Sequence, residues 1–133
     1  MSTNLIELFL QSPAFAVIGA SSNREKYGNK VLRCYLQHGK IVYPVNPHEQ
    51  YIEGVAVVHS INELPKTVKS ISVITPPQIT EHVVTEAIKK GIEHIWMQPG
   101  AESDAAIKKG IEHGINVIAG GPCILVVMGF QEH

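Results

Sequence analysis

A loop rich in small and basic residues follows the first apolar run of this 133-residue chain and reads VIGASSNREKYGNKV at residues 17–31. A strand that enters a tight turn at Gly19 and leaves into a helix near Gly28 brings unpaired backbone N–H groups and the positive end of the helix dipole to one point. Such a point binds phosphate. The turn between Gly19 and Gly28 also holds two serine hydroxyls and two cations, those of Ser21, Ser22, Arg24 and Lys26. The alternative interpretation is an ordinary turn with solvated charges.

The end of the second predicted strand bears on the kind of nucleotide. An NAD-binding domain usually places a carboxylate there, about 20 residues past the glycines, to bind the ribose 2′-hydroxyl. Here that place holds Val45-Asn46-Pro47, and the next carboxylate is Glu49. A phosphorylated adenosine ribose, as in coenzyme A or NADP, would be repelled by an acid and is tolerated by Asn46. The residues favour these two ligands over NAD and do not separate them.

Composition and charge exclude several classes of protein. The formal charge is -1, from 11 basic and 12 acidic residues, so no basic field favours nucleic acid. No apolar run reaches transmembrane length, and we expect no membrane contact. The seven histidines include no pair at i,i+4 spacing and no cysteine at zinc-finger spacing, which predicts no metal site. The length fits one domain over residues 1–133.

Cysteine usage and the first residues favour a cytoplasmic location. Cys34 and Cys123 are far apart in sequence, without a C-x-x-C motif, as expected of free thiols in a reducing compartment. The segment 1–11 is too short and polar for an export signal and predicts a small amphipathic helix capped by Ser2 or Thr3. Cys34 is expected in the core.

Apolar runs of strand length alternate with helical patterns along the chain. In order, the predicted segments are 15–18, 28–38, 41–45, 71–75, 80–90, 95–98, 103–112 and 117–119. This alternation predicts an α/β fold with a parallel sheet of about five strands and helices on both faces.

Prolines and a repeated octapeptide mark the predicted joints. Each predicted strand but one is followed by a proline, and these prolines are Pro47, Pro76, Pro99 and Pro122. They would stiffen the rim of a site at the strand ends, or simply end the strands. Pro44 lies inside a strand expected to be central, which predicts a strand end at Tyr43 or a bulge. The sequence AIKKGIEH occurs at 87–94 and at 106–113, and each copy predicts a helix end with a left-handed glycine cap.

Four motifs, in this order and spacing, resemble the small single-domain CoA-binding proteins. They are GASSNREKYGNKV at 19–31, YPVNP at 43–47, ITPP at 74–77 and WMQPGA at 96–101. These proteins are in turn similar to the N-terminal CoA-binding domain of the succinyl-CoA synthetase alpha subunit. The resemblance covers about residues 13–123 and implies a Rossmann-like, doubly wound domain that binds coenzyme A across the strand ends.

The resemblance also implies which residues contact the ligand. The diphosphate would be lined by Gly19, Ala20, Ser21 and Ser22. Charge would come from Lys26 or Arg24, and Gly28 would let the helix start approach closely. The adenosine end would be bordered by Asn46 and Pro47. The ribose or pantetheine would lie over Thr75, Pro76 and Pro77. Farther along the same edge would be Gln98, Gly100 and Ala101.

Some residues have two interpretations at this stage. The resembling proteins usually show an acid-basic-Cys run before the last segment, whereas this chain has Gly120-Gly121-Pro122-Cys123. Cys123 either meets the thiol of coenzyme A in the crevice or is a small buried hydrophobe. Thr75 is a helix N-cap or a ligand contact, and Trp96 is core or a subunit contact rather than a base-stacking platform. The apolar segment 124–128 covers a sheet edge or a partner subunit.

No catalytic triad, carboxylate pair or metal group is evident in the sequence, and the synthetase reaction needs a second domain and a partner subunit. Three functions therefore remain. The first is a module that binds coenzyme A or an acyl-CoA without catalysis of its own. The second is an NADP-dependent oxidoreductase or redox-sensing domain. The third is a CoA-binding subunit that becomes catalytic only with a partner chain, and a homo-oligomer is also compatible with the sequence.

Overall fold

A computed structural model of the protein describes residues 4–132. The strands are β1 (Phe15–Ile18), β2 (Val42–Val45), β3 (Tyr51–Ile52), β4 (Val55–Ala56), β5 (Ser70–Val73), β6 (His94–Met97) and β7 (Asn116–Ile118). The α-helices are α1 (Leu5–Leu10), α2 (Tyr27–Gln37), α3 (Pro77–Lys90), α4 (Asp104–Glu112) and α5 (Ile124–Met128), and a 3-10 turn covers Ile61–Glu63.

The five strands of the main sheet run parallel in the order β2-β1-β5-β6-β7. The chain passes outward from β1 to β2 and then returns to place β5 on the other side of β1. This reversal makes the sheet doubly wound, and its switch point lies at the carboxyl ends of β1 and β5. The predicted Rossmann-like α/β fold is therefore confirmed.

Helices cover both faces of the sheet. Along β1, Phe15 and Val17 join the apolar cluster formed with α1, α2 and α5, whereas Ala16 and Ile18 join the cluster formed with α3 and α4. All four side chains of β1 are buried. Because both faces of the strand are covered, its sequence is apolar throughout instead of alternating.

Pro44 lies within β2, and the expected strand end at Tyr43 or bulge is wrong. The pairing of β2 with β1 continues without interruption to Val45. β2 is the edge strand of the main sheet rather than a central one. The Pro44 carbonyl accepts a hydrogen bond from the Val58 N–H at 2.9 Å, on the outer side of the strand. Because the N and O of a strand residue face the same side, the missing N–H also faces outward and breaks no inner ladder.

The two copies of AIKKGIEH end differently. α3 ends as predicted, with Gly91 in the left-handed conformation at φ 86°. In the second copy Gly110 lies inside α4, which continues to Glu112, and the left-handed residue is Gly114 at φ 80°. A Cβ at Gly110 would lie 2.9 Å from Val117 Cγ2. The prediction for the second copy is wrong because its glycine serves close packing of α4 on β7 instead of a cap.

The first helix has a cap that the sequence did not single out. The Asn4 side chain accepts hydrogen bonds from the N–H groups of Ile6 and Glu7 at the start of α1. The predicted caps, Ser2 and Thr3, lie outside the described residues. The antiparallel pair β3 and β4 was not predicted either, because strands of two residues carry almost no periodicity.

Candidate functional site

A crevice of about 460 Å³ opens at the switch point of the sheet. It lies where the loop after β1, the first turn of α2 and the loop after β5 meet. Its lining consists of Gly19, Ala20, Ser21, Glu25, Lys26, Tyr27, Gly28, Asn46, Ile74, Thr75 and Pro76. Eight of the sixteen residues that the sequence proposes for ligand binding are therefore brought to one place, because the carboxyl ends of β1, β2 and β5 meet at this edge.

Two glycines set the shape of the crevice. Gly19 has φ 93°, a conformation that side-chain-bearing residues rarely adopt, and a Cβ there would lie 3.3 Å from Thr75 Cγ2. A Cβ at Gly28 would overlap the carbonyl oxygen of Gly19. The first turn of α2 therefore packs directly on the backbone of the loop, with no side chain between them.

Free backbone donors line the crevice. Within residues 4–132, the lining N–H groups without a hydrogen-bond partner include four from the loop after β1 and the start of α2, those of Ala20, Ser21, Tyr27 and Gly28. The last two belong to the first turn of α2, where N–H groups lack an intrahelical acceptor. Lys26 is the N-cap of α2, and no side chain caps the helix. The positive end of the helix is therefore available to an anion.

The side chains of the crevice add one hydroxyl and little net charge. The Ser21 hydroxyl accepts the Asn23 N–H at 3.1 Å, which leaves its own proton for a ligand oxygen. Among the lining residues of the crevice, Lys26 is a cation and Glu25 is an acid. Binding of an anion there therefore depends on the backbone N–H groups as much as on side-chain charge.

A buried asparagine holds the loop against α2. Asn29 is fully buried, and its Nδ2 donates to the Ser21 carbonyl at 2.9 Å and to Glu53 Oε2 at 3.0 Å. Its Oδ1 accepts a hydrogen bond from Arg33 Nε at 2.6 Å. Because every polar atom of the amide is used, Asn29 fixes the position of Ser21 relative to the helix.

Asn46 braces the loop from the other side. Its Nδ2 donates to the Ala20 carbonyl at 2.9 Å, and its Oδ1 accepts the N–H groups of His48 and Glu49 at 2.7 and 3.0 Å. This turn brings the Glu49 carboxylate to the Ser22 N–H at 2.9 Å. Hydrogen bonding from Ser22, through its side chain and its N–H, holds the pKa of Glu49 below its ordinary value.

Glu49 lies closer to the loop after β1 than its place in the sequence indicates. The sequence has its next carboxylate after Val45-Asn46-Pro47 at Glu49, and the turn at Asn46 folds this residue back onto the loop. A carboxylate therefore lies beside Ser22. The side-chain amide of Asn46, meanwhile, is occupied by protein groups.

Arg24 is directed away from the crevice. Its Nη1 donates to Glu53 Oε1 at 2.7 Å, and the Arg24 side chain is 51% exposed. Glu53 lies in the turn between β3 and β4, with φ 51°. Arg24 thus forms an ion pair with the β3–β4 hairpin. Lys26 is the basic residue of this loop that lines the crevice.

A second pocket, of about 180 Å³, adjoins the crevice. Its lining consists of Tyr27, Val31, Ile74, Gln98, Pro99 and Cys123. Tyr27 and Ile74 line both cavities, so the two cavities adjoin along the strand ends and are together called the groove. Gln98 is 3% exposed, and its Oε1 accepts the Ile124 N–H at 2.9 Å. Among the described residues, Gln98 Nε2 is buried and finds no hydrogen-bond partner.

The remaining proposed residues lie outside both cavities. Pro47 follows Asn46 on the surface, and Pro77 is the exposed first residue of α3. Gly100 is exposed in a turn and donates its N–H to Glu102 Oε1 at 2.8 Å, whereas Ala101 is buried in the core.

The ambiguous residues are also located by the structure. Trp96 is fully buried, and its Nε1 donates to the Pro122 carbonyl at 3.1 Å, which makes it a core residue. Thr75 lines the crevice, and the N-cap of α3 is Pro76. Cys34 is buried, as predicted, and its pKa is raised to about 11 by burial and by the neighbouring Cys123.

Sequence reasoning missed several residues of the groove. Tyr27, Val31 and Ile74 resemble ordinary apolar positions, and nothing local marks them as lining residues. Glu53 had a usable signal, since a Glu-Gly pair between short apolar runs is a hairpin turn. Asn29 and Arg33 had another, because their i,i+4 spacing places them on one face of a helix.

No helix within residues 4–132 is long and apolar enough to cross a membrane. The same part of the chain contains no group of three or more His, Cys, Asp or Glu side chains that could hold a metal ion.

Comparison with protein families gives a match that covers most of the chain. A family model described as a CoA binding domain matches residues 13–129. The chain belongs to this CoA-binding domain family. Its crevice at the switch point, with free N–H groups at a helix start, is the kind of site in which α/β domains bind nucleotides.

Known relatives differ in length. The alpha subunit of an ADP-forming acetate–CoA ligase (II) from Pyrococcus furiosus is 29% identical over 92 residues, which cover 68% of this chain and 20% of the relative. The chain thus spans about a fifth of the length of that curated relative. The uncharacterised protein YneT from Bacillus subtilis is 25% identical over 112 residues, 84% of this chain and 83% of YneT.

Solved structures of similar size share the fold. A conserved hypothetical protein from Pyrococcus furiosus superimposes with a TM-score of 0.82 at 39% identity, over 86% of this chain and 97% of the other. This CoA-binding domain is thus related to the CoA-binding part of acetate–CoA ligase subunits. The comparisons do not favour the NADP-dependent oxidoreductase that the sequence left open.

Proposed function

We propose that the protein binds coenzyme A or an acyl-CoA along the groove at its strand ends, without catalysis of its own. The diphosphate would lie against the free N–H groups of Ala20, Ser21, Tyr27 and Gly28. The hydroxyl of Ser21 and the ammonium of Lys26 would complete the anion site.

The observation that supports this most is the coincidence of those four N–H groups in one crevice. These N–H groups have no acceptor within the described chain, and a phosphate oxygen is a strong acceptor for donors at a helix start. The crevice also continues into an apolar pocket, as a ligand with a polar diphosphate and a less polar pantetheine arm requires.

Ligand-dependent thermal stability tests the proposal. Only a ligand that binds the native state raises the unfolding midpoint, and at 100 times its Kd the stabilisation is about 2.7 kcal/mol. Coenzyme A is expected to raise the midpoint and an equal concentration of NADPH is not. A shift with NADPH alone would overturn the proposal. Mass spectrometry of the protein under native conditions would identify any ligand retained through purification.

A second candidate is a CoA-binding subunit that acts only with a partner chain. It is supported by the ligase alpha subunit among the relatives, which is about five times longer than the part it shares with this chain. It also fits the 77% exposure of Val126 in α5, the helix that directly follows Cys123 of the second pocket. An acetate–CoA ligase assay of the complex purified from its native cells, with the isolated chain as control, tests it. Equal lack of activity in both samples would contradict it.

A further inference from the structure

We propose that the second pocket binds the thioester end of a short-chain acyl-CoA, and that Gln98 donates a hydrogen bond from Nε2 to the thioester carbonyl. This inference deepens the proposed function and rests on it, because the nucleotide half of the ligand must first bind the crevice. The proposed ligands are acyl-CoA thioesters whose acyl group has only a few carbons.

The side-chain amide of Gln98 has one unpaired donor. Gln98 is 3% exposed, and its amide orientation is fixed because Oε1 accepts the Ile124 N–H at 2.9 Å. A flipped amide would set two donors against each other. Nε2 is therefore a buried donor that, in the described chain, has no acceptor. Buried polar groups are rarely left without a partner, so an acceptor from a ligand is expected.

The chemistry of the lining selects the kind of acceptor. Apart from Gln98, the side chains around the pocket are apolar or weakly polar. They belong to Tyr27, Val31, Ile74, Pro99 and Cys123. A pantetheine amide placed there would bring a carbonyl together with an N–H that needs its own acceptor. A thioester brings only the carbonyl, and its sulfur and alkyl groups suit apolar surroundings. One free donor in an apolar pocket therefore matches a thioester better than an amide.

The size of the pocket limits the acyl chain. The cavity measures about 180 Å³, whereas an apolar cavity of about 150 Å³ can hold a benzene molecule, which has six heavy atoms. The end of acetyl-CoA from the last two methylenes of the arm onward also has six heavy atoms. An acetyl or propionyl thioester fits such a space, and a long acyl chain does not.

The position of the pocket matches the route of the ligand. The crevice lies at the ends of β1 and β5, whereas Gln98 and Pro99 directly follow β6, the next strand. Tyr27 and Ile74 lie on the boundary of both cavities. A pantetheine arm that leaves the crevice past these two side chains enters the pocket with its thioester end first.

The direct test uses unaltered protein and two ligands of nearly equal size. Acetyl-CoA carries the thioester carbonyl, and S-ethyl-CoA, a thioether, lacks it. Titration calorimetry is expected to give about tenfold tighter binding of acetyl-CoA, since the thioether leaves the buried donor unpaired. Equal affinities would overturn the inference. Octanoyl-CoA is expected to bind at least about tenfold more weakly than acetyl-CoA by the same size limit, and equal binding would contradict the short-chain assignment.

A variant locates the effect at Gln98. Gln98→Glu keeps an acceptor for the Ile124 N–H and replaces the donor by a second acceptor, so the preference for acetyl-CoA over S-ethyl-CoA should disappear. Gln11→Glu, ahead of β1 at the opposite edge of the sheet, is the matched control and should retain the preference. A Gln98→Glu protein that keeps the preference would contradict the role of this residue.

Adenosine 3′,5′-bisphosphate separates the two proposals. It contains the phosphorylated adenosine of coenzyme A without the pantetheine arm, and the unaltered protein should bind it. If neither it nor coenzyme A binds the unaltered protein, the proposed function itself fails. If both bind while acetyl-CoA and S-ethyl-CoA are equal, only the thioester assignment fails.

Discussion

The Cα of Gly28 lies against the carbonyl of Gly19, so closely that a Cβ at Gly28 would overlap that oxygen. This contact brings the first turn of α2 onto the loop after β1. It is also the reason that free N–H groups from the loop and from the helix line the same crevice. Backbone cannot give way as a flexible side chain can, so the contact is sensitive to a single methyl group.

Gly28→Ala is expected to destabilise the protein by about 1–3 kcal/mol, because the methyl group forces the helix and loop apart. It should also weaken coenzyme A binding by separating the four N–H groups. Gly121→Ala is the matched control, because its Cβ would meet nothing within 4 Å and its φ is not in the left-handed region. Chemical denaturation and calorimetry measure both effects. An unchanged midpoint and affinity for Gly28→Ala would contradict the close packing.

The combined change Lys26→Glu and Ser21→Ala is expected to weaken coenzyme A binding at least about 100-fold while the protein stays folded. The double variant removes a charged and a neutral hydrogen-bond donor, and it adds a repulsive charge. Lys66→Glu, just before the amino end of β5, makes the same charge change at the opposite edge of the sheet. Calorimetry on all three proteins checks the prediction, and retained affinity in the double variant would show that the diphosphate lies elsewhere.

Glu25→Gln is expected to raise the affinity for coenzyme A by about two- to fivefold at low salt, with a smaller gain at 0.5 M salt. The acid lines the crevice beside Lys26, and its removal takes away repulsion that salt would otherwise screen. Titrations at two ionic strengths measure the effect. Glu86→Gln, on the exposed surface of α3, serves as control. A loss of affinity in Glu25→Gln would indicate that this carboxylate contacts the ligand favourably.

Lower pH is expected to weaken the contact between Glu49 and Ser22. Because the folded-state pKa of Glu49 is lowered, its contribution to stability is present above its unfolded pKa and is lost as pH falls through the lowered value. In Glu49→Gln the fall of the unfolding midpoint between pH 5 and pH 3 should therefore be shallower than in the unaltered protein. Thermal unfolding across this range measures it. The effect is small because Glu49 is exposed to solvent, and an identical slope in the two proteins would show that the carboxylate adds nothing.

Alkylation at pH 8 is expected to modify Cys123 and spare Cys34. A pKa of about 11 leaves Cys34 with about one thiolate per thousand molecules at that pH, and the residue is also buried. Acetyl-CoA should protect Cys123, which lines the second pocket. Peptide mass spectrometry after iodoacetamide treatment, with Cys123→Ser as control, follows both sites. Protection of neither cysteine by ligand would place the thiol end of the ligand outside the pocket.

The fold class and much of the crevice could be predicted because their signals are local. Apolar runs between helical patterns predict a parallel sheet, and a glycine turn followed by a helix start predicts an anion site at its carboxyl edge. Gly19 and Ser21 were accordingly expected at one site, whereas Thr75 was expected there from the resemblance to the CoA-binding proteins. The observed bounds of the helices and strands differ from the predicted ones by at most three residues, as expected where caps rather than periodicity decide the ends.

Long-range contacts explain most of what the sequence did not predict. The sequence shows only that Arg24 lies in the loop, so it was expected at the ligand. In the structure, Arg24 instead donates a hydrogen bond to Glu53, 29 residues later in the chain. Glu49 returns to Ser22 through a turn that depends on Asn46. Side-chain pairing of this kind has no periodic signal.

The sequence by itself determined a doubly wound α/β fold and predicted a phosphate-binding loop, since glycine spacing, apolar runs and the four motifs act within short stretches of chain. Only the tertiary structure decided that Pro44 lies on an edge strand, that Lys26 rather than Arg24 lines the crevice, and that Gln98 has a buried N–H group without an acceptor. These features depend on strand order and on partners distant in sequence. The physical reason is that burial and pairing are properties of the packed chain, whereas turn and strand preferences are properties of neighbouring residues.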